Sequence, residues 1–458
     1  MKKLFIIASI ILVAIASLPL IGNKLIDAEL NTRIATLVSN GVDVQKEVTD
    51  SKYLDTKRHY EFVIKDSDKF IQYLAKFSHT QIPPYINSLL DGTRMGMDLH
   101  YNNIPISKAV SIDLYPLALS QEAMQEIQAQ DTDFAIYVEN FLNKAGLSYH
   151  LDYNVVTQEF DGKIKDIDEN YTFTSGEKLK AKLYDSVFSG KGLLIAPESI
   201  RSSTKLIHLD VTNKTNRIII DLNNTQLKSD FESRSTYQTQ IQTDILKLNI
   251  NDEQTGKTVV NLDNPKMSFS SSTKGPKAQL KAKISFDDLN FESKNQTVLL
   301  TDFNYDLLLK DIDKDTYEAL SKLIESAKQK TDPSLESKIQ KQLEQLFMRG
   351  FELQLYDLGI KKIMLNKVKD LEGISINSEI KLAPNSVSNI NLLSAIGLLD
   401  KIDLDLYIEI SKPLFVLITE SNPMVALSQG YAKEKVNSLV YDIKMKKGAV
   451  SVNGKRIK

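Results

Sequence analysis

The sequence predicts an α+β, β-dominated protein: an N-terminal transmembrane helix followed by an extended, curved antiparallel sheet with packing helices. Three observations carry that expectation. An uncharged apolar leader opens the chain, period-2 alternation of apolar and polar residues dominates the body, and helical periodicity is confined to a few stretches.

The leader runs from Leu4 to Gly22 behind Met1, Lys2 and Lys3, and the next charge is Lys24. At 1.5 Å per residue its nineteen positions reach about 28 Å as a helix, close to the hydrocarbon core of a bilayer. Leu4, Ile7, Ile11, Leu18 and Ile21 are the expected anchor residues. The lysines and the amino group crowd the short side, so the positive-inside rule puts the N-terminus in the cytoplasm and the body outside it. The alternative is a cleaved signal peptide, because Ala14-Ile15-Ala16 before Ser17 has the A-x-A form. Either way the body is exported. A helical row of Ile26, Leu30, Ile34 and Leu37 follows, ending at Asn40-Gly41.

Strands come next. Ala278, Leu280, Ala282, Ile284 and Phe286 alternate with Lys277, Gln279, Lys281, Lys283 and Ser285, and Ile402 to Ile410 alternates in the same way. Shorter runs are Tyr149/Leu151/Tyr153, Ile207/Leu209/Val211, Leu246/Leu248/Ile250 and Ile374/Ile376. One apolar and one wet face per strand implies antiparallel pairing. A loose repeat ends such runs with an Asx pair or near-pair: Ile220–Asn224, Val260–Asn264, Ile284–Asp288 and Leu300–Asn304. Asx residues tolerate left-handed backbone, so these are expected to be bends or bulges. Helices are expected at 68–78, 83–91, 120–146 and 315–347. The last forms a hairpin that divides the chain into an anchor (1–22), an N-terminal β-rich region (23–312), the hairpin itself (313–348) and a C-terminal β region (349–458).

Composition narrows the chemistry. The chain has no cysteine, so it carries no disulfide, thiolate nucleophile or Cys-ligated metal, and 57 basic against 59 acidic residues exclude a strongly basic nucleic-acid footprint. Asp311, Asp313 and Asp315 have calcium-loop spacing, but Thr316 and Lys322 stand where glycine and the bidentate glutamate belong. They read instead as a helix start, with Asp315 as the cap and Glu318 three residues on. Ser189-Gly190-Lys191-Gly192 lacks the rest of a phosphate loop and reads as a turn. The five histidines never fall at metal-ligand spacing, and no G-x-S-x-G elbow nominates a serine. No catalytic residue, metal or cofactor is expected.

Two segments carry a family likeness. Leu307 to Leu320 leads a strand into a helix through Ile312, Asp313, Ala319 and Leu320, and the chain closes on Gly448, Val450, Val452, Asn453 and Gly454. In this order of elements the chain resembles the bacterial YdgA family, a group of unknown function. That resemblance implies an inner-membrane-anchored protein facing the periplasm and supplies no catalytic residues.

The reading that follows is a non-enzymatic, single-pass inner-membrane protein whose periplasmic body acts as an envelope scaffold or binds a partner. The alternative is a lipid-binding or lipid-handling protein with an apolar, sheet-lined groove. A periplasmic hydrolase comes third. The expected partners are the membrane and a lipid or envelope protein, and the oligomeric state is open, a homodimer included.

Overall fold

The computed structural model describes residues 30–77, 90–103, 109–194, 196–233, 235–327, 335–366, 369–384 and 401–457. It shows a β-dominated, antiparallel protein with a few helices. The expected anchor at 1–22, with Leu4, Ile7, Ile11, Leu18 and Ile21, and most of the helix expected at 83–91 lie outside the described residues. Among the described residues no helix is long and apolar enough to cross a membrane. The chain forms two compact units, residues 1–206 and 207–458.

The first unit begins with helix α1 (30–39) and strands β1 (Val42–Ser51) and β2 (Asp55–Ile64), followed by helix α2 (Ser67–Phe77). Strands β3 (Arg94–Asn102) and β4 (Ala109–Ala118) continue the meander. Each strand pairs antiparallel with the one before. Gly41 ends α1 at φ 95°, and its carbonyl accepts hydrogen bonds from Lys65 and Asp66 N–H, returning the chain to the end of β2. The core joins Val42, Tyr60, Phe62, Leu99, Tyr101 and Val110 to Leu30, Ile34 and Leu37 of α1. Thus Leu30, Ile34 and Leu37 of the apolar row cover this sheet. Helices α3 (Gln121–Gln130) and α4 (Thr132–Asn143) follow. Ser120 caps the first and Asp131 the second. Strands β5 (Tyr149–Asn154), β6 (Glu159–Ile164), β7 (Ile167–Thr172) and β8 (Lys178–Leu193) complete the unit, and β9 (Ala196–Thr212) runs across the boundary.

The expected turn at Ser189–Gly192 is corrected here. These residues end the long strand β8, with Gly190 opposite Phe160. A Cβ on Gly190 would meet the Ser199 carbonyl at 2.2 Å, so glycine permits close backbone approach inside the sheet.

The second unit contains β10 (Asn216–Ser233), β11 (Thr236–Gln242), β12 (Ile245–Asp252), β13 (Gly256–Asp263), β14 (Lys266–Ser272), β15 (Lys277–Glu292) and β16 (Thr297–Asp313). Helices α5 (Lys314–Ala327) and α6 (Leu335–Arg349) lie inside this unit, ahead of β17 (Phe351–Leu365), β18 (Lys369–Leu382) and β19 (Ile402–Ser411). Helices α7 (Lys412–Ser421) and α8 (Pro423–Ala426) precede β20 (Lys433–Glu434), β21 (Ser438–Lys446), β22 (Ala449–Val452) and β23 (Lys455–Ile457).

A seam crosses this sheet where the pleat changes phase. On β10 the apolar positions are even up to Leu222 and odd from Leu227, and between them Asn224 takes φ 53°. Asn264 (φ 52°) makes the same change between β13 and β14, and Asp302 (φ 52°) makes it within β16. On β15 the change falls at Asp287-Asp288, on β17 at Lys361-Lys362 and on β18 at Glu372-Gly373. Residues left out of register at the seam, Asp287, Asp302, Lys361 and Gly373 on β15 to β18, keep the apolar side chains on one face across the phase change. The seam is stitched by side chains. Asn224 Nδ2 donates to Asp244 Oδ2 at 2.8 Å, Asn264 Nδ2 to Asp287 Oδ2 at 3.0 Å, and Lys361 pairs with Asp302 at 3.1 Å. The Asx repeat read in the sequence is this seam.

Candidate functional site

Cross-strand register turns the alternating strands into apolar rungs. One runs Leu222–Leu246–Leu262–Leu289–Leu300–Ile363–Leu371 across seven strands, β10, β12, β13, β15, β16, β17 and β18. At a strand spacing of about 4.8 Å it spans roughly 29 Å. A parallel rung is Ile220–Leu248–Val260–Phe291–Val298–Leu365. Beyond the seam a third links Leu227, Ile241, Met267, Ile284, Tyr305, Leu358, Ile376, Ile408 and Tyr441.

Cover is uneven along this face. Among the described residues, the helices of this unit pack on β15, β16, β18, β19 and β21. There Ala278, Ile312, Leu371, Ile410, Leu439 and Tyr441 are buried. Leu414 and Phe415 of α7 join Leu371, Ile410 and Leu439 in one core cluster, with Ile363 and Leu365 packed against it. The rungs on β10, β12 and β13 contain no buried residue. Met267 and Phe269 on β14 are 37% and 38% exposed. A closed two-layer core would bury such residues almost completely. Among the described residues, helices cover parts of β15, β16, β18, β19 and β21, while the rungs on β10, β12 and β13 are only partly buried.

Other candidates are polar. An open depression of about 970 Å³ lies over Gly359 and Ser375, whose small side chains leave room on the wet face. Two of its lysines, Lys361 and Lys435, are paired with acids. Lys435 meets Glu409 at 2.7 Å, and hydrogen bonds from Lys435 and Ser438 hold the Glu409 carboxyl below the usual carboxylate range. In the first unit a depression of about 590 Å³ is lined by Asp113, His150 and Ser186 among others. His150 Nδ1 is 2.8 Å from Asp113 and its Nε2 is 3.4 Å from Asp152, while Ser111 donates to Asp152 rather than to the imidazole. The Ser–His–Asp order of an acyl-transfer triad is not formed by these residues. His59–Asp98 and His208–Asp221 repeat the His–Asp pairing.

The hydrogen bond that His150 donates to Asp113 raises the His150 pKa above its usual 6.5, against the opposing effect of burial. The imidazolium is the form the carboxylates hold. Its contribution to stability is therefore complete below pH 6.5 and is lost as pH rises through the higher folded-state pKa. Unfolding measured upward from pH 6.5 should show stability falling with pH, and His150→Gln should flatten that part of the profile.

The acidic triplet has a structural role. Asp313, not the expected Asp315, caps α5: its Oδ1 accepts from Thr316 N–H at 3.0 Å, and Oδ2 meets Arg349 at 2.6 Å. The helix starts two residues earlier than the capping-box spacing implies, because Thr316 rather than Glu318 completes the turn. No group of three or more His, Asp or Glu side chains able to hold a metal occurs among the described residues. The closing Asn453-Gly454 forms the β22–β23 turn, with left-handed backbone at both residues. Asn453 Nδ2 also donates to the carbonyls of Tyr431 and Val440.

The sequence expectation contains the apolar strand faces but not which part of them stays uncovered. The architecture is that of an antiparallel β protein with a partly covered apolar face. No family model, curated protein or solved structure matches the chain.

Proposed function

We propose that this chain is a non-enzymatic, single-pass inner-membrane protein, anchored by residues 1–22, whose periplasmic body binds lipid acyl chains along the apolar face of its second unit. The observation that supports this reading is the set of apolar rungs across β10, β12 and β13, on which no residue is buried. The sequence by itself favours a scaffold, because the protein's own helices are expected to seal such a face. Rungs that are only partly buried favour a ligand that completes the cover.

An acyl chain fits the chemistry of these strands, whose two rungs hold only Leu, Ile and Val. Burial is worth about 0.8 kcal/mol per methylene relative to water. A lipid already in a bilayer has that stabilisation, so exchange between bilayer and sheet is nearly neutral in free energy. Such a face suits handling of lipid near its membrane rather than tight storage.

The test is a photo-crosslinking amino acid placed in the full chain in cells. At Leu248 or Leu262 it should capture phospholipid, detected by mass spectrometry. At Lys247 or Asn261, on the other face, it should not. Capture of an envelope protein at Leu248 and Leu262 would instead establish the scaffold reading, and no adduct at either would leave the lipid reading without support.

A further inference from the structure

We infer that the end of the second unit formed by α7, α8 and the C-terminal hairpins docks on an anionic phospholipid bilayer. Two independent features meet there. Residues 421–432 contain no charge, yet Met424 and Leu427 are 73% and 68% exposed, and Tyr431 and Val416 of α7 are exposed as well. The inner side of the same segment is well packed, since Val425 and Ala432 sit against the core cluster of Leu414, Phe415 and Tyr441. The outer side chains are therefore presented by a built support. They are not the fringe of an unformed core.

The second feature is charge. After Asp442 the described residues carry Lys444, Lys446, Lys447, Lys455 and Arg456 and no acid, in a chain of net charge −2. Lys446, Lys447, Lys455 and Arg456 are all exposed. The hydrogen bond from Asn453 to the Tyr431 carbonyl at 2.8 Å holds the Asn453-Gly454 turn, and with it Lys455, beside the uncharged segment. Lys433 adds a cation at that segment's end. The acids nearest in sequence to the uncharged segment are Glu420 and Glu434, with Glu434 tied to Lys412 at 2.9 Å, and Asp405 and Asp442 lie 3.8 and 3.7 Å from Lys444, which leaves Lys446, Lys447, Lys455 and Arg456 as the cations of the patch.

Exposed Met, Leu and Val next to a cluster of Lys and Arg match the two halves of a bilayer interface. The apolar side chains enter the acyl boundary, the cations meet anionic headgroups, and Tyr431 suits the level between them. A purely apolar protein partner would leave the basic ribbon without a counterpart. This inference does not depend on lipid occupying the sheet face.

The absence of native tryptophan makes the test direct. The full chain carrying Leu427→Trp is reconstituted into vesicles of equimolar phosphatidylcholine and phosphatidylglycerol with brominated acyl chains. Emission from the introduced indole should shift to the blue and be quenched, whereas Tyr356→Trp, on the wet face of the sheet, should report water. Reversing Lys446, Lys447, Lys455 and Arg456 together to glutamate, with the β circular dichroism spectrum unchanged, should return the Leu427→Trp signal to that of the control. Vesicles of phosphatidylcholine alone should do the same. An unquenched signal in the anionic vesicles, or quenching that survives the charge reversal, would overturn the inference. Lipid capture at Leu248 in the earlier experiment reads the sheet face separately.

Discussion

Gly373→Ala is expected to destabilise the second unit by about 3 kcal/mol or more, although it adds a single methyl group. Gly373 lies on β18 at the seam, where β17 and β18 approach so closely that a Cβ would sit 1.6 Å from the Ile360 carbonyl oxygen and 2.6 Å from its carbon. Both atoms belong to backbone, so no rotamer can relieve the contact and the strands themselves must part. Gly359→Ala on β17 is the control. Its Cβ would first meet the Asp357 carboxylate at 3.0 Å, and that flexible side chain can turn away. Thermal unfolding should show a loss for Gly373→Ala of several degrees, at roughly 2–4 °C per kcal/mol. Gly359→Ala should stay near the parent. Equal melting temperatures for the two variants would mean that the seam yields easily and does not constrain the sheet.

Much of this seam is legible in the sequence. Ile220–Asn224, Val260–Asn264, Ile284–Asp288 and Leu300–Asn304 all meet it, because a phase change needs two polar residues in a row and Asx tolerates the left-handed backbone found at Asn224, Asn264 and Asp302. The same logic misses β17 and β18. Lys361-Lys362 and Glu372-Gly373 cross the seam without an Asx pair, so nothing local distinguishes them from ordinary solvent-facing residues. Strand faces are readable from alternation, and the helices at 67–77 and 121–143 from their apolar rows. The uneven cover is not. Leu248 and Ile312 look alike as apolar members of alternating runs, and only the packing of the helices on particular strands separates them. Asp313 escapes notice as the cap because Asp311, Asp313 and Asp315 offer equivalent side chains, and the choice is made by Thr316 and the distant Arg349.

Ile312→Asp should cost about 4 kcal/mol or more, while Leu248→Asp should cost only about 1–2 kcal/mol. Ile312 is 2% exposed, opposite the similarly enclosed Ala278 and immediately before α5, so a carboxylate there has neither water nor a cation to meet. Leu248 lies between Ile220 and Val260 on a rung with no buried member, and its carboxylate would reach solvent. Urea unfolding of the two variants measures the contrast. The comparison bears on function because side chains that add little to stability yet form an apolar surface across β10, β12 and β13, about 10 Å wide, demand another use. In Leu248→Asp a folded protein should therefore lose lipid capture at Leu262, separating ligand binding from folding. If Leu248→Asp proves as damaging as Ile312→Asp, the face is part of a closed core, and the acyl-chain reading loses the surface it requires.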